Sequence, residues 1–260
     1  MIRAKKSLGQ NFLIDKNIIT KIINVIDIKN KNVLEIGPGT GNLTLEILQK
    51  SPKKVILIEK DNILAGGLIK KFGDNVEVIN KDILKINENV LCDQSLVVFG
   101  NLPYNISTEI LCKWILSLDT NKVWFSCLVL MFQKEVADRI ISKFNTKDYG
   151  RLSILANWRL KIKKIFDVKP TSFQPKPKVE STVLFFEPKK NFFKLKNPRN
   201  LEKITRIFFM HRRKMIKKPF SILFKENIAY EMGIDLTLRP QNLDFNTYYE
   251  LTKKYEFLRS

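Results

Sequence analysis

The chain has one histidine, His211, and three cysteines, Cys92, Cys112 and Cys127, in 260 residues, with no C-x-x-C spacing. An odd number of thiols and a single imidazole supply neither a disulfide framework nor a zinc cluster, so a metal-free fold resting on its apolar core is expected. His211 lies in a basic stretch with no carboxylate or second histidine beside it and reads as a solvated residue. Long hydrophobic runs are missing as well. The longest, Cys127-Leu128-Val129-Leu130-Met131-Phe132, is far too short to span a bilayer. The amino terminus is basic but has no apolar region behind it, which argues against a secretory leader. A cytoplasmic monomer without a membrane partner is therefore expected. Glycine is sparse, and three of the ten glycines, Gly37, Gly39 and Gly41, fall in one turn.

The abundant features are apolar residues, at 44%, and positive charge, with a formal net charge of +20 and a pI near 9.8. The first supports a sizeable core. The second implies a polyanionic partner, and the plentiful aromatic residues favour nucleic acid. The charge is concentrated. Between Lys189 and Lys225 stand 13 Lys or Arg against the single acid Glu202, too one-sided for a surface decorated with ion pairs.

Apolar spacing predicts an amphipathic helix between Asp15 and Asp27, with Asp15 as its cap. Strands and helices then alternate: strand Val33–Ile36, helix Leu43–Lys50, strand Val55–Ile58, helix Ile63–Phe72, strand Val76–Ile79, strand Leu96–Phe99, helix Ser107–Leu118 and strand Val123–Met131. That rhythm argues for an α/β fold with a parallel, Rossmann-like sheet covered by helices on both faces. A helix Gln133–Lys143 and a strand pair Ile165–Val168 with Thr182–Glu187 would complete the sheet with an antiparallel edge. Pro188 would end this domain. Helical patterns at Leu201–Phe209, Met215–Phe224 and Thr247–Tyr255 predict a small all-α domain over residues 189–260.

Gly37-Pro38-Gly39-Thr40-Gly41 follows a buried strand and opens a helix, the place where doubly wound sheets bind small cofactors. The third glycine of a pyrophosphate-binding turn would stand where Asn42 is. A turn of this kind suits an amino-acid-bearing nucleoside such as S-adenosylmethionine. Glu59, at the end of the next strand, can accept from both ribose hydroxyls, and Asp82, at the end of the strand after that, from the adenine amine.

Asn101-Leu102-Pro103-Tyr104 follows the run Leu96-Val97-Val98-Phe99-Gly100. By itself such a run is an ordinary strand exit; after the glycine turn it suggests methylation of a flat amine. The lone pair of an exocyclic base amine is delocalised into the ring, so an enzyme must hold both N–H groups and aim that lone pair. The Asn101 side-chain oxygen and the Leu102 carbonyl are candidate acceptors, Pro103 fixes φ, and the Tyr104 ring offers a face for an extruded base. No general base is needed, because the methylated ammonium loses its proton readily to water.

With these motifs in hand the chain resembles the ribosomal small-subunit adenine dimethyltransferases, which methylate two neighbouring adenosines near the end of small-subunit rRNA. The resemblance runs from Lys6-Ser7-Leu8-Gly9-Gln10-Asn11-Phe12-Leu13 to Arg239-Pro240-Gln241-Asn242-Leu243. It implies a class I methyltransferase sheet, S-adenosylmethionine as cofactor, and small-subunit rRNA or a pre-small-subunit particle as partner. Gly9 to Leu13 looks like the family's amino-terminal lid, with Asn11 and Leu13 touching the cofactor, and Gly37, Glu59, Asp82 and Asn101 match its other contacts. Phe173-Gln174-Pro175-Lys176-Pro177-Lys178-Val179-Glu180-Ser181 is similar to the loop whose aromatic ring packs on the target base. Phe173 and Tyr104 would then sandwich the adenine. Arg212-Arg213-Lys214 is similar to the RNA-facing basic cluster. Gly66-Gly67 inside a helix and Pro219 after the basic cluster depart from the expected pattern. Two alternatives stay open: the large-subunit rRNA adenine methyltransferases of the macrolide-resistance type, and a non-catalytic nucleic-acid-binding relative. Gly9 before Gln10 and the ending through Arg239-Pro240-Gln241 favour the small-subunit enzyme.

Overall fold

The computed structural model describes residues 5, 8–118 and 123–259; Lys6 and Ser7 of the amino-terminal motif lie outside them. The chain forms two compact units. One comprises Met1–Trp114, Leu118–Ala137 and Lys161–Pro188, the other Ile115–Ser117, Asp138–Leu160 and Lys189–Ser260. The first unit ends at Pro188, and residues 138–160 belong to the second.

The first unit is built on a seven-stranded sheet. Its strands, in chain order, are β2 (Asn32–Ile36), β3 (Lys54–Ile58), β4 (Glu77–Ile79), β5 (Leu96–Asn101), β6 (Phe125–Gln133), β7 (Leu160–Val168) and β9 (Ser181–Pro188). They lie in the order β4-β3-β2-β5-β6-β9-β7. β2 pairs in parallel with β3 and β5, β3 with β4, and β5 with β6, while β9 runs antiparallel to β6. Every residue of β2 is buried, as are Leu96 to Gly100 of β5. This is why these strands read as continuous apolar runs rather than alternating ones: helices cover both faces of a parallel sheet. A two-residue strand β1 (Phe12–Leu13) pairs with β8 (Phe173–Gln174) in a separate ribbon.

Three helices set the turns that matter for function. The Asp15 side chain accepts from the Asn17 and Ile18 amides and caps α1 (Lys16–Ile23); Asp61 does the same for α3 (Asn62–Phe72) through Ile63 and Leu64. Between them α2 (Asn42–Gln49) starts directly from the glycine turn. Such caps satisfy amides that the first turn leaves without partners. α4 (Ser107–Ser117) and α5 (Lys134–Ile141) follow β5 and β6. Because the parallel strands share one direction, the turns after β2, β3, β4 and β5 gather at one edge of the sheet.

The second unit is helical: α6 (Arg151–Arg159), α7 (Pro198–Phe209), α8 (Lys217–Leu223), α9 (Glu226–Glu231) and α10 (Phe245–Phe257). Leu201, Ile204, Thr205 and Phe208 form the buried stripe of α7, and rings from Tyr149, Phe208, Phe209, Phe245 and Tyr248 pack together. The Glu256 carboxylate accepts from the Lys196 and Asn197 amides, both at 2.8 Å, joining α10 to the start of α7. Arg212, Arg213 and Lys214 lie in the turn between α7 and α8 rather than in a helix that continues. Pro219 sits buried in the first turn of α8, where its missing N–H breaks no helical bond.

A buried acid links sheet to turn. Glu35 in β2 is 2% exposed and accepts a 2.6 Å hydrogen bond from the Thr44 hydroxyl of α2. Burial pushes its carboxyl up to about 8; Thr44 and Lys71 oppose the shift and Glu59 adds to it. A carboxyl with a raised folded pKa contributes stability that is complete below its unfolded pKa and is lost as pH rises towards 8. Glu35→Gln keeps an acceptor for Thr44 but cannot ionise. Its stability relative to wild type should therefore increase between about pH 5 and about pH 8 in urea titrations, and a pH-independent difference would refute the assignment.

Gly66 and Gly67 occupy exposed positions of α3, and a Cβ added at either meets nothing within 4 Å. Neither has a positive φ. Gly66→Ala and Gly67→Ala should each stabilise the protein by about 0.5–1 kcal/mol through chain entropy. A lower thermal midpoint in either variant would contradict this account.

Candidate active site and cofactor cleft

The turns gathered at the sheet edge line a single cleft that includes Asn11, Leu13, Glu35, Gly37, Gly39, Glu59, Asp82, Asn101, Leu102, Pro103 and Tyr104. Gly37, Gly39 and Gly41 adopt φ of 65°, 57° and 76°, a region that side chains with a Cβ rarely enter. At Gly39 packing adds a second reason, since a Cβ would stand 2.8 Å from the Phe12 ring. At Gly37 an added Cβ would come no closer than 3.9 Å to any protein atom, so backbone conformation alone selects glycine and the cleft side stays open to a ligand. Asn42, which replaces the third glycine of a pyrophosphate turn, donates through Nδ2 to the Leu13 carbonyl at 2.8 Å. That bond fastens the amino-terminal segment to the start of α2.

Glu59 follows β3 directly and is 6% exposed. Its Oε2 accepts from the Gly39 amide at 3.1 Å and its Oε1 from the Asp61 amide at 2.8 Å. Burial pushes its carboxyl up, and the two amides pull it down. Each carboxylate oxygen has a second lone pair, so the group can still accept from a ligand hydroxyl. Asp82 lies three residues beyond β4 rather than at its end, and there it caps a 3-10 turn (Ile83–Lys85) by accepting from the Leu84 amide. An ion pair of 2.8 Å with Lys60 holds its carboxyl below the usual range. Asp61 pairs with Lys5 at 2.8 Å and accepts from the Gln10 amide at 3.3 Å. These contacts carry the amino-terminal segment along the cleft. A cleft with a buried acid after β3, an ion-paired aspartate beyond β4 and an open glycine turn fits a cationic nucleoside with vicinal hydroxyls.

At the end of β5 the Asn101 Nδ2 donates to the Asn11 carbonyl at 2.9 Å, which turns Oδ1 to the opposite side of the amide as an acceptor. Leu102 is buried, and Gly100 makes room for it: a Cβ there would lie 2.8 Å from a Leu102 methyl. The Pro103 and Tyr104 carbonyls are engaged by the Ile106 amide and the Ser107 hydroxyl, which fold the turn into α4. Burial raises the Tyr104 phenol, so the ring remains neutral.

Phe173 departs from expectation. It is 3% exposed, belongs to the apolar core with Leu13 and Val183, and does not line the cleft. The pairing of Leu13 with Phe173 in the β1–β8 ribbon directs it there, so it does not face Tyr104 across the cleft. In the second unit Arg213 and Lys214 are exposed, whereas Arg212 is half-buried and donates to the Thr146 carbonyl at 3.0 Å. Sequence reasoning passed over Glu35, Gly100 and Asp61. Each left a trace: an acid in an apolar strand, a glycine inside one, and a helix cap. Among the described residues no cluster of His, Cys, Asp and Glu could hold a metal, and no helix is long and apolar enough to cross a membrane.

Comparison with known proteins accords with this geometry. The ribosomal RNA small subunit methyltransferase A of Pelagibacter ubique is 62% identical over 260 residues, covering 99% of each chain, and that of Wolbachia pipientis wMel 39% over 264, covering 99% of this chain and 91% of the relative. A dimethyladenosine transferase from Plasmodium falciparum superposes with a TM-score of 0.80 at 30% identity, covering 95% of this chain and 98% of that one. The 23S rRNA methyltransferase ErmE, at 23% identity and a TM-score of 0.67 over 95% of this chain and all of its own, shares the fold. These likenesses give the sheet its class, that of the class I methyltransferases. With a match to the ribosomal RNA adenine dimethylase model that runs from residue 1 to residue 256, the chain belongs to that family of methyltransferases.

Proposed function

We propose that this chain transfers methyl groups from S-adenosylmethionine to the exocyclic amines of two adjacent adenosines in small-subunit (16S) rRNA, giving dimethyladenosine during ribosome biogenesis. The observation that carries the mechanism is the orientation of Asn101. With Nδ2 committed to the Asn11 carbonyl, Oδ1 is the end that can accept from a substrate N–H. The Leu102 carbonyl, one residue along, takes the second N–H, and the Tyr104 ring supplies the stacking face. Glu59 would accept from the ribose hydroxyls, Asp82 from the adenine amine, and Asn11, Leu13 and the glycine turn would close around the remainder. When bound, S-adenosylmethionine supplies an electrophilic methyl group on a sulfonium. Held by two acceptors, the amine is fixed with its lone pair aimed along one line, which lowers the barrier by orientation rather than by proton transfer. Phe173, being in the core, has no assigned part in stacking.

The deciding experiment is labelled methyl transfer to separated ribosomal subunits that lack the modification, followed by nucleoside mass spectrometry. Wild type should convert small-subunit adenosine to the dimethyl form, and Asn101→Ala should lower the rate by about a hundredfold or more, as expected for losing an aligned partner in a desolvated site. Full activity in Asn101→Ala would sink the mechanism, label in the large subunit would favour the macrolide-resistance type of substrate, and no transfer at all would favour a non-catalytic relative.

RNA binding is assigned to the basic turn of the second unit, where Arg213 and Lys214 are exposed and Arg212 is tethered to Thr146. Phosphate contacts release counterions, so affinity should fall steeply with salt. Replacing Arg213 and Lys214 together by Ala should reduce the slope of log K against log salt by about 1.5–2. An unchanged slope in filter-binding titrations would count against this assignment.

A further inference from the structure

The cleft leaves one contact of Tyr104 unexplained by any role given above. Its phenolic oxygen lies 2.6 Å from the Ser181 hydroxyl, and the two share a hydrogen bond in which either can donate. Ser181 is fully buried, opens β9 and pairs with Gln133 of β6, so its backbone is fixed by the sheet. It does not itself line the cleft. From the other side the Tyr104 carbonyl accepts from Ser107 of α4 at 3.2 Å. The ring is therefore tied at its para position to the sheet and at its backbone to a helix, and these two ties fix the line of its long axis.

We propose that Ser181 is a positioning residue that sets where the Tyr104 ring stands and thereby controls progress from the monomethyl to the dimethyl product. This rests on the reading of the chain as an adenine dimethyltransferase. An unmodified amine offers two N–H groups to Asn101 and Leu102. After one transfer a single N–H remains, so one acceptor falls idle and the orientation of the base depends more heavily on stacking. A ring freed from Ser181 would still stack, but without a fixed place. The second transfer should suffer more than the first.

The test is a product time course with Ser181→Ala, Ser181→Thr, Tyr104→Phe and the Ser181→Ala, Tyr104→Phe double variant on unmethylated small subunits. Ser181→Ala should raise the ratio of monomethyl to dimethyl adenosine about three- to tenfold, the scale of one net hydrogen bond. Ser181→Thr, which keeps the hydroxyl, should restore the wild-type ratio. Tyr104→Phe should match Ser181→Ala, and the double variant should be no worse than either, because both remove the same bond. Calorimetric affinity for S-adenosylmethionine should not change in Ser181→Ala. A wild-type product ratio in Ser181→Ala, additive defects in the double variant, or a matching loss of cofactor affinity would each overturn the inference while leaving the enzyme's assignment intact. Wild-type protein that never forms dimethyladenosine would overturn the functional reading and this inference with it.

Discussion

The Glu59 carboxylate ties together the parts that make the cleft. One oxygen holds the Gly39 amide of the turn after β2, and the other holds the Asp61 amide that begins α3. Asp61, placed by that bond, caps α3 and anchors Lys5 and Gln10 of the amino-terminal segment. Gly39 in turn packs against Phe12. Two strand ends, a helix start and the segment laid along the cleft are thus coupled through one buried side chain. A charge in such a place is costly unless backbone donors compensate it, and here two amides do so while lone pairs remain for a ligand.

Electrostatics divides the work within the molecule. The chain as a whole carries +20, whereas in the cleft the acids Glu35, Glu59 and Asp82 stand beside only two lysines, Lys60 and Lys81. Their environments push them apart. Burial raises Glu35 and Glu59, while Lys60 lowers Asp82. A cationic ligand would meet Glu59 and Asp82 in the cleft, and a polyanion would meet the cations of the second unit. One chain can therefore hold opposite charge preferences without conflict, because each is confined to its own surface.

Much of the fold was legible because parallel strands buried on both faces leave uninterrupted β-branched runs, and helices packed on one face leave a 3.6-residue stripe. β2, β3 and β5 and helices α2 to α4 fall within about two residues of their expected bounds, the usual uncertainty of helix and strand ends. α6 was missed because it is buried on several sides: Ser153, Ile154, Leu155, Ala156, Trp158 and Arg159 are all covered, so no polar face marks it as amphipathic. β1 and β8 were missed because each is two residues long and exists only through a pairing across 160 positions of chain.

The sequence by itself determined the alternation of strands and helices from β2 to β6, the glycine turn, the acid after β3 and the Asn-Leu-Pro-Tyr exit, since each depends on local geometry or on a short spacing. Tertiary structure alone decided which way each of these groups faces. It turned the Asn101 oxygen outwards by occupying its nitrogen, drew Phe173 into the core through the β1–β8 ribbon, bound Arg212 to Thr146, and brought Ser181 to Tyr104 across 77 residues. These are contacts between distant segments. No periodicity or spacing encodes them, because their free energy depends on where the rest of the chain has already packed.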